Sequence, residues 1–245
     1  EASGPADCRF MQSVVPRESV IRALGRPAAS WKPAAVPWRR HLLAASLAGP
    51  AALAVAIAVS AVLHPGYSHR QPVSLLGADG APYGWLFAAG MVASGAGLTV
   101  LSWIMLDVVS PMGRLAARIS LMSGMLLVVA AGVPCSQGCP APWTAEATGR
   151  DLTHFMLVVA AAAGLVAAPV AARRWMCRSG CAPRFRRLTG LLLAPIVAGA
   201  VLTFAAEALP LGVFAATTGI WQRIMIAGSL TWYSTIAILV LRRRR

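Results

Sequence analysis

Apolar residues in this chain fall into six long runs, broken by short polar stretches rich in glycine and proline. The runs cover about 42–63, 84–108, 115–133, 152–172, 188–209 and 219–241, each of 19 to 25 residues. A helix rises about 1.5 Å per residue, so ~20 apolar residues cross a hydrocarbon core about 30 Å thick. Open strands are excluded, because lipid offers no partner to an unpaired backbone N–H or C=O. The pattern therefore predicts an all-α polytopic membrane protein, a bundle of six transmembrane helices filling 42–241 between a basic Ala/Pro/Arg-rich tail at 1–41 and a short basic tail at 242–245. Within the first tail, VPRESVIRALGR at 15–26 has the spacing of a basic amphipathic helix lying on a membrane surface; a disordered tail is the alternative.

Composition agrees with the runs. Charged residues make up 12% of the chain and the mean hydropathy is +0.67, far from the roughly 25% charge of soluble domains. Small residues recur inside the spans, as in GMVASGAG at 90–97 and APIVAGA at 194–200. In lipid such residues let helix backbones approach closely, and they predict a tight bundle. Pro50, Pro169 and Pro195 are expected to kink their spans. The halves show no internal repeat, and the mid-spans lack charged groups, which disfavours a small-solute transporter.

The net charge of +14 sets orientation rather than indicating nucleic acid. Arginine supplies 21 of the 22 basic residues, and these lie at span ends without the interleaved aromatics of a stacking platform. With both termini cytoplasmic, the inside segments 1–41, 109–118, 173–187 and 242–245 hold 19 basic residues, and only Arg70, Arg150 and Arg223 fall outside. That is a positive-inside signature and implies a bacterial cytoplasmic (inner) membrane, with lipids as partners.

The cysteines sort by side. Cys135 and Cys139 (PCSQGCP) fall in an outer loop and are expected to form a disulfide. Cys177 and Cys181 fall in an inner loop and are expected to be reduced. No metal site is expected, since zinc sites want four ligands and no second Cys or His pair accompanies either one.

Polar groups concentrate at the outer face. The loop from His64 to Phe87 carries His64, His69 and Asp79; the fourth run opens with Asp151 and His154, spaced i, i+3 on one helix face; Glu207 ends the fifth; Gln222 and Arg223 open the sixth. Asp151 is placed to be a helix N-cap, and Asp79 to make a turn before Gly80. Arg223, roughly 6 Å inside its span, must snorkel or find an acceptor such as Asp151, Glu207 or Asp79. His69, Asp151, His154 and Arg223 are thus candidates for one pocket beneath the loop, where acid, base and cation would bind or modify a lipid or other amphiphile. Whether a reaction is catalysed stays open. A rival reading is a non-catalytic accessory subunit of a larger membrane complex, favoured by the small-residue helix faces and the absence of a nucleophile or metal triad. A b-haem held by His64 and His154 is disfavoured, because four histidines in all leave no second pair for a transmembrane electron path.

After the first run, YSHRQPVSLLGADGAPYGWLF resembles the signature of DUF998, a family of bacterial six-span membrane proteins of unknown function. The matching residues are Ser74, Leu76, Gly77, Ala78, Gly80, Ala81, Pro82 and Phe87, with Asp151–His154 opening the fourth span and Gly219 to Arg223 the sixth. The likeness covers about 42–241 and implies architecture without an activity. The loop is also faintly similar to that of the Frag1/DRAM group, some of whose members act in lipid remodelling. Leu75 and Leu76 stand where that group's acidic residue is expected.

Overall fold

The computed structural model describes residues 37–108, 111–178, 183–208 and 217–242. The tail helix expected at 15–26 lies outside them. Six long helices follow one another: α1 Pro37–Leu63, α2 Gly84–Val108, α3 Pro111–Ala131, α4 Gly149–Arg178, α5 Pro183–Ala208 and α6 Thr218–Arg242. A short 3-10 helix, Val73–Gly77, interrupts the loop between α1 and α2, and no strand occurs among the described residues. Helices α1 to α5 are long and apolar enough to cross a membrane.

Helix ends depart from the apolar runs for a simple reason. Hydropathy marks the bilayer, whereas a helix continues until its backbone is capped. Helices α1, α3 and α5 start at prolines, whose fixed φ suits the first helical position and whose missing N–H is one the helix would leave unpaired anyway. Helix α4 runs on through Arg173 and Arg174, beyond its apolar stretch. Pro50, Pro169 and Pro195 sit inside helices that continue past them.

Helices α1 to α4 pack as successive neighbours, as do α5 and α6; α6 returns against α1 and α4 meets α5, so the six close into a ring. The small residues of α2 divide between two partners. Gly90 and Gly97 face α1, where a Cβ would stand 2.6 Å from the Ala56 side chain and 2.8 Å from the Ser46 carbonyl. Gly95 faces α3, and a Cβ there would stand 2.5 Å from the carbonyl oxygen of Gly124. Apolar contact between helices gains little over contact with lipid, so this backbone-to-backbone approach is what van der Waals cohesion depends on.

Two buried clusters flank the ring's interior. One joins Leu43, Ile104, Met176, Ile196 and Trp232; the other joins Leu53, Val73, Leu76, Phe87 and Met91 at the end where the long loops lie, hereafter the loop face. Several buried hydroxyls are satisfied within their own helices, Ser120 on the Ala116 carbonyl and Thr203 on that of Gly199, whereas Ser60 Oγ and Ser229 Oγ are buried without a partner among the described residues. The buried Tyr233 hydroxyl reaches Ser120 Oγ across the bundle at 3.3 Å. Large apolar side chains instead cover the exterior, with Val62 84% and Leu191 72% exposed, as a lipid-facing surface requires.

Replacing Gly95 with leucine should overpack the α2–α3 contact and cost about 1–3 kcal/mol. Gly149→Ala, with nothing within 4 Å of the added Cβ, is the control. Thermal unfolding in detergent should show a lowered midpoint for Gly95→Leu alone; equal midpoints would mean that close backbone approach does not hold these helices.

Candidate functional site

The loop face is built by two knots of polar residues over a cavity. The first joins the α1–α2 loop to the opening turn of α6. Arg223 Nη1 lies 2.7 Å from the His69 carbonyl, 3.3 Å from that of Gln71 and 2.8 Å from that of Gly219. Its Nη2 donates to the Tyr67 hydroxyl, and the guanidinium sits over the Tyr67 ring, 5.4 Å from its centre. The Gly219 N–H, which the start of a helix leaves without an internal partner, donates to the Arg70 carbonyl at 2.9 Å. Gly219 is required here, because any Cβ would overlap the Gln71 carbonyl. Gln222 extends the knot: its Oε1 accepts from the Val73 N–H at 2.8 Å and its Nε2 donates to Glu207 of α5 at 3.3 Å. Burial pushes the Tyr67 hydroxyl above the ordinary phenol range, with Arg223 opposing the shift. Tyr67 therefore stays neutral, accepting from Arg223 and donating towards the Gln71 and Pro72 carbonyls at 3.3 and 3.2 Å.

The second knot ties the α3–α4 loop to the start of α4. Thr148 caps that helix: its hydroxyl accepts from the Asp151 N–H at 3.3 Å, while Asp151 Oδ2 accepts from the Thr148 N–H at 2.8 Å. This is a reciprocal capping box. Asp151 also accepts from the Ser136 N–H at 2.7 Å and from its hydroxyl at 2.8 Å. Ser136 sits in the small loop closed by a disulfide between Cys135 and Cys139. The loop in turn docks on the first one: the Asp79 N–H donates to the Cys135 carbonyl at 2.9 Å, and Asp79 pairs with Arg150.

Beneath the knots the ring encloses a cavity of about 280 Å³, lined by residues of all six helices. Its walls are largely apolar, among them Leu53, Phe87, Leu98, Ile226 and Leu230, with the hydroxyls of Ser46, Ser94, Thr203 and Ser229 between them; carboxyl, imidazole and amide side chains gather at the loop face, Asp151, His154, Glu207 and Gln222, beside both cysteines. His154 is buried. Its Nδ1 lies 2.6 Å from the Val133 carbonyl, which can only accept, so Nδ1 carries a proton and, in the neutral ring, Nε2 holds the lone pair. Nε2 is buried with no hydrogen-bond partner.

The four residues expected to share one pocket separate into two sets. Asp151 and His154 line the cavity; His69 and Arg223 do not. His69 lends the knot its carbonyl, and the residue is exposed. Arg223 finds carbonyls and a phenol rather than Asp151, Glu207 or Asp79, so it is a structural clip. Asp151 is the third helical residue of a capping box, and the N-cap is Thr148. The signal was present in the sequence as Thr148-x-x-Asp151. His64 stacks near Tyr67, 5.7 Å between ring centres, and is absent from the lining, so it shares no cavity with His154. The Cys177 and Cys181 side chains lie outside the described residues. Sequence spacing gave no sign that His154 stands beside the disulfide, where the sulfurs and a ring nitrogen all lie within 4.8 Å of one another.

A family model described as "Protein of unknown function (DUF998)" matches residues 47–239. The chain belongs to that family. Comparisons with curated proteins and with solved structures found no match.

Arg223→Gln should release the loop while leaving the bundle folded. A hydrogen bond to a charged group contributes about 1.5–3 kcal/mol, so limited trypsin digestion at Arg70 should be at least about tenfold faster in the variant. Equal cleavage rates would show that the guanidinium does not hold the loop.

Proposed function

We propose that this DUF998 protein is a six-span protein of the bacterial cytoplasmic membrane that binds an amphiphile from the outer leaflet in its central cavity. The observation that carries this reading is the cavity itself. At about 280 Å³ it is near the lower end of small-molecule sites, and it pairs apolar walls with a few polar groups at one end. An acyl or prenyl tail fits the walls, and a head group fits the end near Glu207, Gln222 and His154. The head is one that donates hydrogen bonds, such as a hydroxyl or ammonium. Arg223 is saturated by loop carbonyls, which argues against a phosphate. The 3-10 helix Val73–Gly77, with Val73 and Leu76 buried, roofs the cavity.

The distribution of arginine supports the orientation, with 19 of 22 basic residues on the side of the termini. The 25 residues of α6 suffice for the sixth crossing. Trp85 and Trp143, both largely exposed at the loop face, suit an aromatic belt at the outer interface.

Two measurements test this reading. Native mass spectrometry of protein extracted in mild detergent should find a bound amphiphile, and Ala162→Trp, which fills the cavity wall, should lose it at unchanged gel-filtration volume. An empty wild-type protein, or equal occupancy in both, rules the binding role out. Separately, a C-terminal green fluorescent protein fusion should fluoresce and a C-terminal alkaline phosphatase fusion should be inactive; the reverse pattern overturns the orientation.

A further inference from the structure

The pair of cysteines has a neighbour that its spacing alone does not reveal. Cys135 is fully buried, Cys139 partly so, and both line the cavity with His154. The two sulfurs and a ring nitrogen of His154 lie within 4.8 Å of one another. His154 is 8% exposed, its Nδ1–H is committed to the Val133 carbonyl at 2.6 Å, and its Nε2 meets no protein donor. A metal-binding histidine is usually held in this way, with the outer N–H on a backbone carbonyl fixing the tautomer and ring orientation while the other nitrogen presents its lone pair. Leaving that buried nitrogen without a partner costs stability, which a ligand would recover.

We propose that Cys135, Cys139 and His154 become, on reduction of the disulfide, a three-ligand site for a thiophilic d10 cation, Zn²⁺ or Cu⁺. A dithiol reductant transfers two electrons and two protons to the S–S bond, giving two thiols and its own disulfide. Binding of the cation then releases the two thiol protons, while His154 contributes the Nε2 lone pair and keeps its Nδ1 proton. The sulfurs must part from bonding distance to about 3.8 Å, as M–S bonds of roughly 2.3 Å in a tetrahedral set require. The frame around them does not depend on the disulfide, because Asp151 holds Ser136 and the Asp79 N–H holds the Cys135 carbonyl. Two thiolates and an imidazole satisfy a trigonal Cu⁺ site, or leave one position for water on Zn²⁺. The site shares His154 with the head-group end of the cavity, so a bound cation and a head group would compete for that nitrogen.

The test uses the full chain in detergent. A water-soluble phosphine with one water converts the disulfide to two thiols and itself to the phosphine oxide, and is then removed without air. Co²⁺ serves as the spectroscopic probe. Reduced protein should bind one equivalent with a thiolate-to-cobalt charge-transfer band, and oxidised protein none. Zn²⁺ displacing the cobalt identifies a tetrahedral site; Cu⁺ retained against a competing chelator, with no displacement by Zn²⁺, identifies a trigonal one. His154→Gln should weaken binding by at least about tenfold. Independently of any variant, addition of the metal to ¹⁵N-histidine-labelled reduced protein should shift one imidazole Nε2 resonance. No stoichiometric band in reduced protein, equal affinity in His154→Gln, or unmoved histidine resonances would overturn the proposal. None of these outcomes requires an amphiphile in the cavity.

Discussion

A guanidinium at the start of α6 has to find acceptors inside the protein, and the loop from Tyr67 to Val73 takes its observed path because it supplies them. Two carbonyls of that loop, one of the helix itself and the Tyr67 hydroxyl surround Arg223. Much else follows from this contact. It brings the Gln71 carbonyl over Gly219, where no side chain fits, and sets Val73 against Gln222. Val73 and Leu76 are thereby buried, and Val73 lines the cavity at the loop face. An arginine that alone suggested anion binding instead ties a roof to a helix.

The second knot obeys the same constraint with the opposite charge. Asp151 is nearly inaccessible, and its carboxylate is matched by donors from Thr148 and Ser136. It caps α4 and fixes the disulfide loop together. Arg223 and Asp151 are thus both occupied by the fold. The group left over is His154, held by one nitrogen and unpartnered at the other. The loop end of the cavity therefore presents an imidazole, two sulfurs and Glu207 rather than an arginine–carboxylate pair.

The ring explains how such a site coexists with an apolar bundle. Glycine contacts draw neighbouring helices together, α2 to α1 and α3, α4 to α3 through Gly164, and α5 to α6 through Gly199, whereas α4 and α6 touch little. Tight seams between neighbours and an unfilled centre leave a space walled largely by apolar side chains. Two of the polar residues at its mouth, Asp151 and Gln222, are ones the loops need for their own support.

Much of the architecture was legible from local pattern alone. Hydropathy runs located the helices, since burial in lipid demands ~20 apolar residues in a row. Cys135 and Cys139 are four residues apart, so their pairing is a local matter, and Thr148-x-x-Asp151 already spelled a capping box. Helix ends were less legible, because α4 and α5 continue as helix into charged residues that hydropathy counts as loop. What no local pattern could supply were contacts across the ring: Arg223 with a loop more than 150 residues earlier, or His154 with the Val133 carbonyl and the two sulfurs. Period and spacing report which side chains share a helix or a turn. Which helices meet, and what their ends then hold in common, depends on closing the ring, and only the tertiary structure decided it.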